Sequence, residues 1–479
     1  MKVSINALMQ QNVVGFGTSG ARGPVDSLTN EFCYALTLAF MQQVVTSQSR
    51  SRQVIIGHDL RPSSPAISAA CIAALQATGA EVIYAGALPT PALAWYGQQL
   101  HAPVVVVTGS HIPFDRNGIK FYSADGEITK QHEAAIVAAE VDVPDDIPVK
   151  ALPVVATAVE QSYLDRYLAF FPSDMLQGQR IAIYEHSGVG RDLIARLLKA
   201  LGADLICLGR TDEFVPIDTE AVSQADVQMA RQWAHQHHFD AILSTDGDAD
   251  RPLIGDEQGN WLRGDLVGLL CSAYLQADTV VTPVSCNTAI EKSGLFKAVI
   301  RTRIGSPYVI AGMEQALAED EKQIVVGFEA NGGYLLGSDV NLDGKTLAKL
   351  PTRDALYPML AVLAMAHQRQ LSVSALAADL PARYTASDRI QNYATSQSAA
   401  LLSRLQADPV AAATMMAPQA GEVIETNQVD GLRLTFANGD IVHLRPSGNA
   451  PELRCYAESD SAEAAEQLCQ SCLHKVHEQ

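Results

Sequence analysis

Val104-Val105-Val106-Val107-Thr108-Gly109-Ser110-His111-Ile112-Pro113-Phe114-Asp115-Arg116-Asn117-Gly118-Ile119-Lys120 reads as a buried strand that breaks into a chemically loaded loop. The apolar run suits a strand, Gly109 and Gly118 permit sharp turns, and Pro113 interrupts any helix. The loop carries a hydroxyl nucleophile at Ser110, with His111 and Lys120 close by for proton transfer and positive charge. Taken alone, the same residues are equally an ordinary polar turn after a strand.

The unit around this loop recurs. In the first segment Val54 to Gly57 reads as a strand, Ser64 to Thr78 as a helix, and Glu81 to Tyr84 as a strand ahead of the valines. The second repeats the order with Arg180 to Tyr184, a helix over Val189 to Leu201, Asp204 to Leu208, and Ala241 to Ser244 feeding Asp246-Gly247-Asp248-Ala249-Asp250-Arg251. The third runs from Thr279 to Pro283 through a helix near Asn287 to Ser293 and a strand at Ala298 to Arg301. Gln323 to Val326 then feeds Gly327-Phe328-Glu329-Ala330-Asn331-Gly332-Gly333. Strands alternating with helices predict α/β units with mixed or mostly parallel sheets, whose strand ends present loops into a shared crevice. Val141 to Pro153 and Arg251 to Gly264 read as connections.

The last segment differs. Gly431 to Phe436 and Asp440 to Leu444 flank Asn438-Gly439, a type I′ hairpin signal, and Leu453 to Ala457 adds a strand before a helix from about Ala462 to His474. A small α+β domain is expected there. The four units are expected at 1–150, 151–256, 257–372 and 373–479, since 479 residues exceed what one core serves.

Composition narrows the partners. A hydrophobic share of 48% against 18% charged excludes a disordered chain, and no apolar stretch spans a bilayer. The short polar start, Met1 to Asn12, does not read as a signal peptide. A formal net charge of −19 repels polyanions, so nucleic acid and membrane are not expected partners, and an anionic ligand must be met locally. Eight scattered cysteines read as reduced thiols, which predicts a cytoplasmic protein. Cys469 and Cys472 read as neighbours on one helix face rather than a zinc or redox motif.

Asp246, Asp248 and Asp250 alternate so that three carboxylates converge on one hard cation, best Mg²⁺, since otherwise they repel one another. An EF-hand is excluded by Arg251 at the glycine turn and by the preceding strand. A dehalogenase-type phosphatase would place its aspartate near the start of the chain. Arg445-Pro446-Ser447-Gly448-Asn449-Ala450-Pro451 can grip phosphate through Arg445, Ser447 and the amides around Gly448 and Asn449, with Arg454 in support. Glu329 and Asn331 suit vicinal sugar hydroxyls and, read alone, suit a helix cap equally. Gly15 to Gly23 lacks the Lys-Ser/Thr ending of a nucleotide P-loop, but Arg22 within it is placed to meet a transferring phosphate.

In this order, Phe16-Gly17-Thr18-Ser19-Gly20-Ala21-Arg22-Gly23, the Ser110 loop, the Asp246 loop, the Glu329 loop and Arg445-Pro446-Ser447-Gly448 resemble the α-D-phosphohexomutase superfamily over nearly the whole chain. The resemblance implies three related α/β domains and a C-terminal domain of TATA-binding-protein-like topology. It implies a phosphoserine at Ser110, Mg²⁺ on Asp246, Asp248 and Asp250 with Ser110 completing the set, and phosphate binding around Arg445. It further implies exchange of phosphate with a hexose monophosphate through a hexose 1,6-bisphosphate, by a cytoplasmic monomer or homodimer. Mannose 6-phosphate and mannose 1-phosphate are the expected pair. Phosphoglucomutase, phosphoglucosamine mutase and a Mg²⁺-dependent phosphatase are the alternatives.

Departures from the family pattern are His58 for an arginine, Asn449-Ala450 for Thr-Glu in the phosphate loop and, in the sugar loop, Asn331 for a serine and Gly333 for a histidine. The last places acid/base work on Lys120, with Arg22 as electrostatic partner and His111 as a lesser contributor. Arg251 and the loop Arg303-Ile304-Gly305-Ser306-Pro307-Tyr308, with Arg303 and Ser306, are expected to face the sugar.

Overall fold

The computed structural model describes residues 1–17, 19–45, 52–447 and 452–478. Three units share one topology. In the first, Glu81–Ala87, Gln53–His58 and Val104–Val107 lie parallel in that order, and Arg116–Ser123 returns antiparallel beside the last. The second repeats this with Asp204–Leu208, Arg180–Tyr184, Ala241–Thr245 and the antiparallel Pro252–Gly255. The third does so with Ala298–Thr302, Thr279–Pro283, Val325–Phe328 and the antiparallel Tyr334–Leu336, to which Leu350–Asp354 adds.

The chemical loop of each unit is therefore the turn between the last parallel strand and its antiparallel return. The expected strands are all present, but the returns revise two readings. Arg251 to Gly264 is not simply a connection, because Pro252–Gly255 pairs with Ile242 to Thr245. A proline opening a strand of four residues hides its signal, since the missing N–H is tolerated at a first strand position. In the third unit Gly327 and Phe328 belong to the strand, and the loop starts at Glu329.

Val141 likewise pairs with Val3, tying the ends of the first unit together. That unit extends its sheet through Ala21–Pro24, which lies antiparallel to Arg116–Ser123 and brings Arg22 opposite Gly118. Helices form where the pattern asks for them. Ser64–Ala77 has a proline in its first turn and an interior of buried alanine, isoleucine and leucine. Arg191–Ala200 buries Leu193, Ile194, Leu197 and Leu198 as one stripe.

The fourth unit is an antiparallel sheet ordered Tyr384–Gln391, Glu452–Ser459, Ile441–Pro446, Leu432–Phe436, Val423–Asn427, backed by helices. Its final helix, Ala462–His477, starts on a Ser461 hydroxyl that accepts from Ala464 N at 3.1 Å, with Glu463 in the first turn and His474, Lys475 and His477 in the last. Cys469 and Cys472 pack into this core.

The hairpin at Asn438-Gly439 is real but is not type I′. Gly439 has φ 90° while Asn438 is not at positive φ, and Gly439 N bonds Phe436 O as Phe436 N bonds Asp440 O. These bonds close a three-residue loop ending in a glycine bulge, the next most common hairpin solution. Among the described residues no helix is long and apolar enough to cross a membrane. All eight cysteines stand unpaired.

Candidate active site

Ser110 sits at φ 53°, a left-handed conformation costly for a serine, and the surrounding bonds hold it there. Its N–H donates to Thr108 Oγ1 at 2.8 Å, and Thr108 Oγ1 donates in turn to Asp59 Oδ2 at 2.7 Å. Asp59 also accepts from Gly109 N and from Arg61 Nε. The fully buried Arg61 then donates to the carbonyls of Ser110, Ile112, Pro113 and Arg116, so one guanidinium braces the whole loop. A buried arginine spending its donors on four carbonyls of one turn fixes that turn far more firmly than a surface contact.

The Asp246 loop meets this turn face to face. Ser110 Oγ donates to Asp246 Oδ2 at 2.6 Å, and a side chain at Gly247 would fall 2.7 Å from Ser110 O, so only glycine permits the approach. Ala249 also has φ 54°, the second strained residue of the pair of loops. Thr90 Oγ1 donates to Asp248 Oδ2 at 2.6 Å and stitches the first unit to the second.

Asp246, Asp248 and Asp250 bring one carboxylate oxygen each within 4.8 Å of one another, all buried. Burial, then Asp248 and Asp250, push the Asp246 carboxyl well up, because three neighbouring carboxylates cannot all stay ionised without positive charge. Asp248 Oδ1 and Asp250 Oδ1 are buried and accept no hydrogen bond. Unsatisfied carboxylate oxygens beside a serine hydroxyl fit a hard divalent cation.

Lys120 Nζ lies 2.7 Å from Asp248 Oδ2 and 2.9 Å from Asp250 Oδ2. Burial alone would lower its ammonium pKa, but the two aspartates outweigh it and hold it raised. His111 Nδ1 is 3.1 Å from Arg251 Nη1 and 3.3 Å from Ser110 Oγ. A guanidinium only donates, so Nδ1 is the lone-pair nitrogen and the proton of the neutral ring sits on Nε2. Burial, then Arg251 and Arg22, bring the His111 pKa down to about 2.

Above these groups opens a cleft of about 620 Å³ lined by all four units. Arg22, Arg251, Arg353, Arg445 and Arg454 face it, with Glu220, Glu329 and Asn331. In an acidic chain this is a concentrated positive field. Arg22 is brought down to about 10 by burial and then by Arg251 and Arg353, the signature of crowded cations that an anion relieves. Arg22 Nε and Arg454 Nε are buried without hydrogen-bond partners. Arg445 Nε donates to Asp430 Oδ2 at 2.7 Å, and the same oxygen accepts from Ile304 N at 3.0 Å, joining the third and fourth units.

Sequence reasoning placed most of this set. Ser110, Lys120, Asp246, Asp248, Asp250 and Arg251 form one buried cluster, with Ser110 and Arg251 both against His111. Glu329, Asn331, Arg22, Arg445, Ser447 and Arg454 line the cleft. The structure does not bring Arg303 or the Ser306 side chain into it: Arg303 Nε donates to Val429 O, and Ser306 Oγ donates to Glu127. Ile304 and Gly305 of that loop do line it. Gly448 and Asn449, like Thr18, lie outside the described residues.

Sequence reasoning missed Asp59 and Arg61 as the brace, Thr90, Glu220 and Arg353. Asp59 and Arg61 had a signal in Asp59-Leu60-Arg61 after a strand, whereas Thr90, Glu220 and Arg353 have no local motif.

Four models of the phosphoglucomutase/phosphomannomutase family match the chain: alpha/beta/alpha domain I over residues 13–142, domain II over 161–259, domain III over 263–384 and the C-terminal domain over 396–475. The chain is 47% identical to a phosphomannomutase of Salmonella muenchen over 98% of its own length and 97% of the relative's. It is 44% identical to a phosphomannomutase of Sinorhizobium fredii over 95% and 96%. A phosphoglucomutase/phosphomannomutase family protein of Burkholderia thailandensis shares the fold with a TM-score of 0.74 at 19% identity, covering 96% and 97% of the two chains.

Proposed function

The chain belongs to the phosphoglucomutase/phosphomannomutase family and is a phosphohexomutase, an isomerase-class phosphotransferase; on that premise we propose that it interconverts mannose 6-phosphate and mannose 1-phosphate. The observation that carries the reading is Ser110 Oγ bonded to Asp246 directly against His111, which with Arg251 lines an arginine-rich cleft built by all four units. The mannose assignment draws on the two phosphomannomutase relatives.

In this reading Ser110 carries a phosphoryl group. A hydroxyl of the sugar phosphate attacks that phosphorus, the new phosphorus–oxygen bond forms as the bond to Ser110 Oγ breaks, and a hexose 1,6-bisphosphate results. After the bisphosphate turns over, its other phosphate returns to Ser110, and the isomer leaves. A loose phosphoryl transition state asks mainly for positioning and charge.

Asp246, Asp248 and Asp250 would hold Mg²⁺, which when bound supplies charge compensation beside the serine. Arg22 and Arg251 face the transferring group. Lys120, buried in its charged form on the same carboxylates, gives its proton to the departing Ser110 oxygen and is recharged by the proton that the attacking sugar hydroxyl releases, and the reverse step runs the same exchange backwards. Neutral His111 serves as an acceptor for Arg251. Arg445, with Ser447 and Arg454, grips the phosphate that is not reacting, and Glu329 and Asn331 take the sugar hydroxyls. These groups all lie within one chain, which supports a monomer or homodimer as the active unit. The free thiols suit a cytoplasmic enzyme.

The test incubates the protein with Mg²⁺, a trace of hexose 1,6-bisphosphate, and mannose, glucose or glucosamine 1-phosphate in turn. The expected result is mannose 6-phosphate with little inorganic phosphate, halted by chelation of the metal. Dominant release of inorganic phosphate would make the protein a phosphatase, and equal rates on glucose would make mannose the wrong name for its sugar.

A further inference from the structure

Gly333 closes the turn that carries Glu329 and Asn331, at a φ open to any residue, so its constraint is steric. A Cβ built there would stand 2.6 Å from Arg353 Cδ and 2.8 Å from Arg353 Cγ, closer than real side chains approach. Arg353 comes from Leu350–Asp354, the strand paired with Tyr334–Leu336 directly after the turn. Its stem thus fills the volume that a side chain at position 333 would occupy.

From there the guanidinium reaches two carboxylates of different units. Nη1 donates to Glu329 Oε2 at 3.2 Å, while Nε and Nη2 lie 3.1 Å and 2.9 Å from Asp250 Oδ2. All three groups are buried, and Arg353 still lines the cleft. A planar fork with fixed donors can hold two carboxylates at a set separation, whereas an ammonium would hold only a point.

We infer that Arg353 is a positioning residue that sets Glu329 for the sugar and ties the sugar-facing turn to the Asp250 loop, with the bare Gly333 as the steric condition for it. The inference rests on the reading of Glu329 as a sugar ligand given above. It supplies a physical reason for glycine at 333, where the family pattern carries a large side chain. The space belongs to an arginine arriving from the neighbouring strand.

A double-mutant cycle on the full-length, Mg²⁺-loaded enzyme tests it, with kcat and KM for mannose 1-phosphate and its Kd by calorimetry. Gly333→Ala and Arg353→Met are each expected to lower kcat/KM on the order of 100-fold, one by displacing the guanidinium and the other by removing it. The double variant should fall less than about threefold below the weaker single, because both changes remove the same interaction.

Arg353→Lys, which keeps the charge but loses the fork, should recover only a minor part, and it replaces Arg353→Met in the comparison if that variant fails to fold. Losses that multiply, or Gly333→Ala with wild-type constants, overturn the inference. A wild type that binds mannose 1-phosphate but does not turn it over defeats the mutase reading, while the cycle in Kd still decides this one. A wild type that does neither overturns both.

Discussion

The Ser110 turn and the Arg445 strand end face the same cleft and are held in opposite ways. Around Ser110 the backbone is held by a dense set of buried and partly buried bonds within the first unit: Arg61 spans four carbonyls, Asp59 collects Thr108, Gly109 and Ser64, and Asn117 donates to Ser63 and Ser64. Arg445 is half-buried, and its Nε donates to a carboxylate, Asp430, which it shares with Ile304 N. The difference follows from what each must do. A reacting oxygen misplaced by an ångström loses most of its rate, so its loop is over-determined even at the cost of a strained φ. A phosphate clamp must release and regrip either end of the substrate, so it is built from side chains with reach and from a bond that spans two units.

Four substitutions break or sharpen that contrast, and the largest effect is at the reacting atom itself. Ser110→Ala should lower mutase turnover by about 10⁴-fold or more and lack the phosphate that intact-mass analysis is expected to find on the wild type. Retained turnover would dismiss Ser110 as the carrier. Next comes the brace: Arg61→Met should cost on the order of 100-fold in kcat with KM nearly unchanged, since it loosens the nucleophile and leaves the clamp intact. A loss confined to KM would show that the brace does not act through Ser110.

At the clamp the split reverses. Arg445→Met should raise KM by about 10- to 100-fold, the value of a lost charged hydrogen bond, with a smaller fall in kcat. The smallest effect is expected from Asp430→Asn, about threefold in KM, as befits a partly exposed ion pair. Steady-state kinetics that show a kcat loss there larger than at Arg61 would reverse the comparison.

Much of the fold was legible because it depends on local pattern. The parallel strands end in apolar runs, the helices carry their caps and stripes, and each chemical loop follows a strand. The return strand Pro252–Gly255 was not legible because four residues opening on proline carry too little alternation to separate from a turn. The Asn438-Gly439 hairpin was read correctly as a hairpin and incorrectly as type I′, because both turn classes end their loop on glycine and differ in the φ of the asparagine and in whether residue 436 or 437 closes the loop.

At the site, Ser110 and the three aspartates stood out because their chemistry is carried by adjacent residues. Arg353 did not, since nothing within Leu350–Asp354 distinguishes an arginine that bridges two carboxylates from one on a sheet surface. Lys120 was legible as a cationic group near Ser110, but its partners Asp248 and Asp250 belong to another unit.

The sequence alone determined the repeated α/β units, the distinct last unit, the serine loop, the acidic triad and the local need for positive charge in an acidic chain. Each of these is a matter of neighbours along the chain. Only the tertiary structure decided that Arg61 braces the serine turn, that Arg353 fills the space over Gly333, and that Arg303 and Ser306 turn away from the cleft. Those outcomes are set by which side chains of distant segments compete for one buried volume and one set of charges, and chain order does not encode that competition.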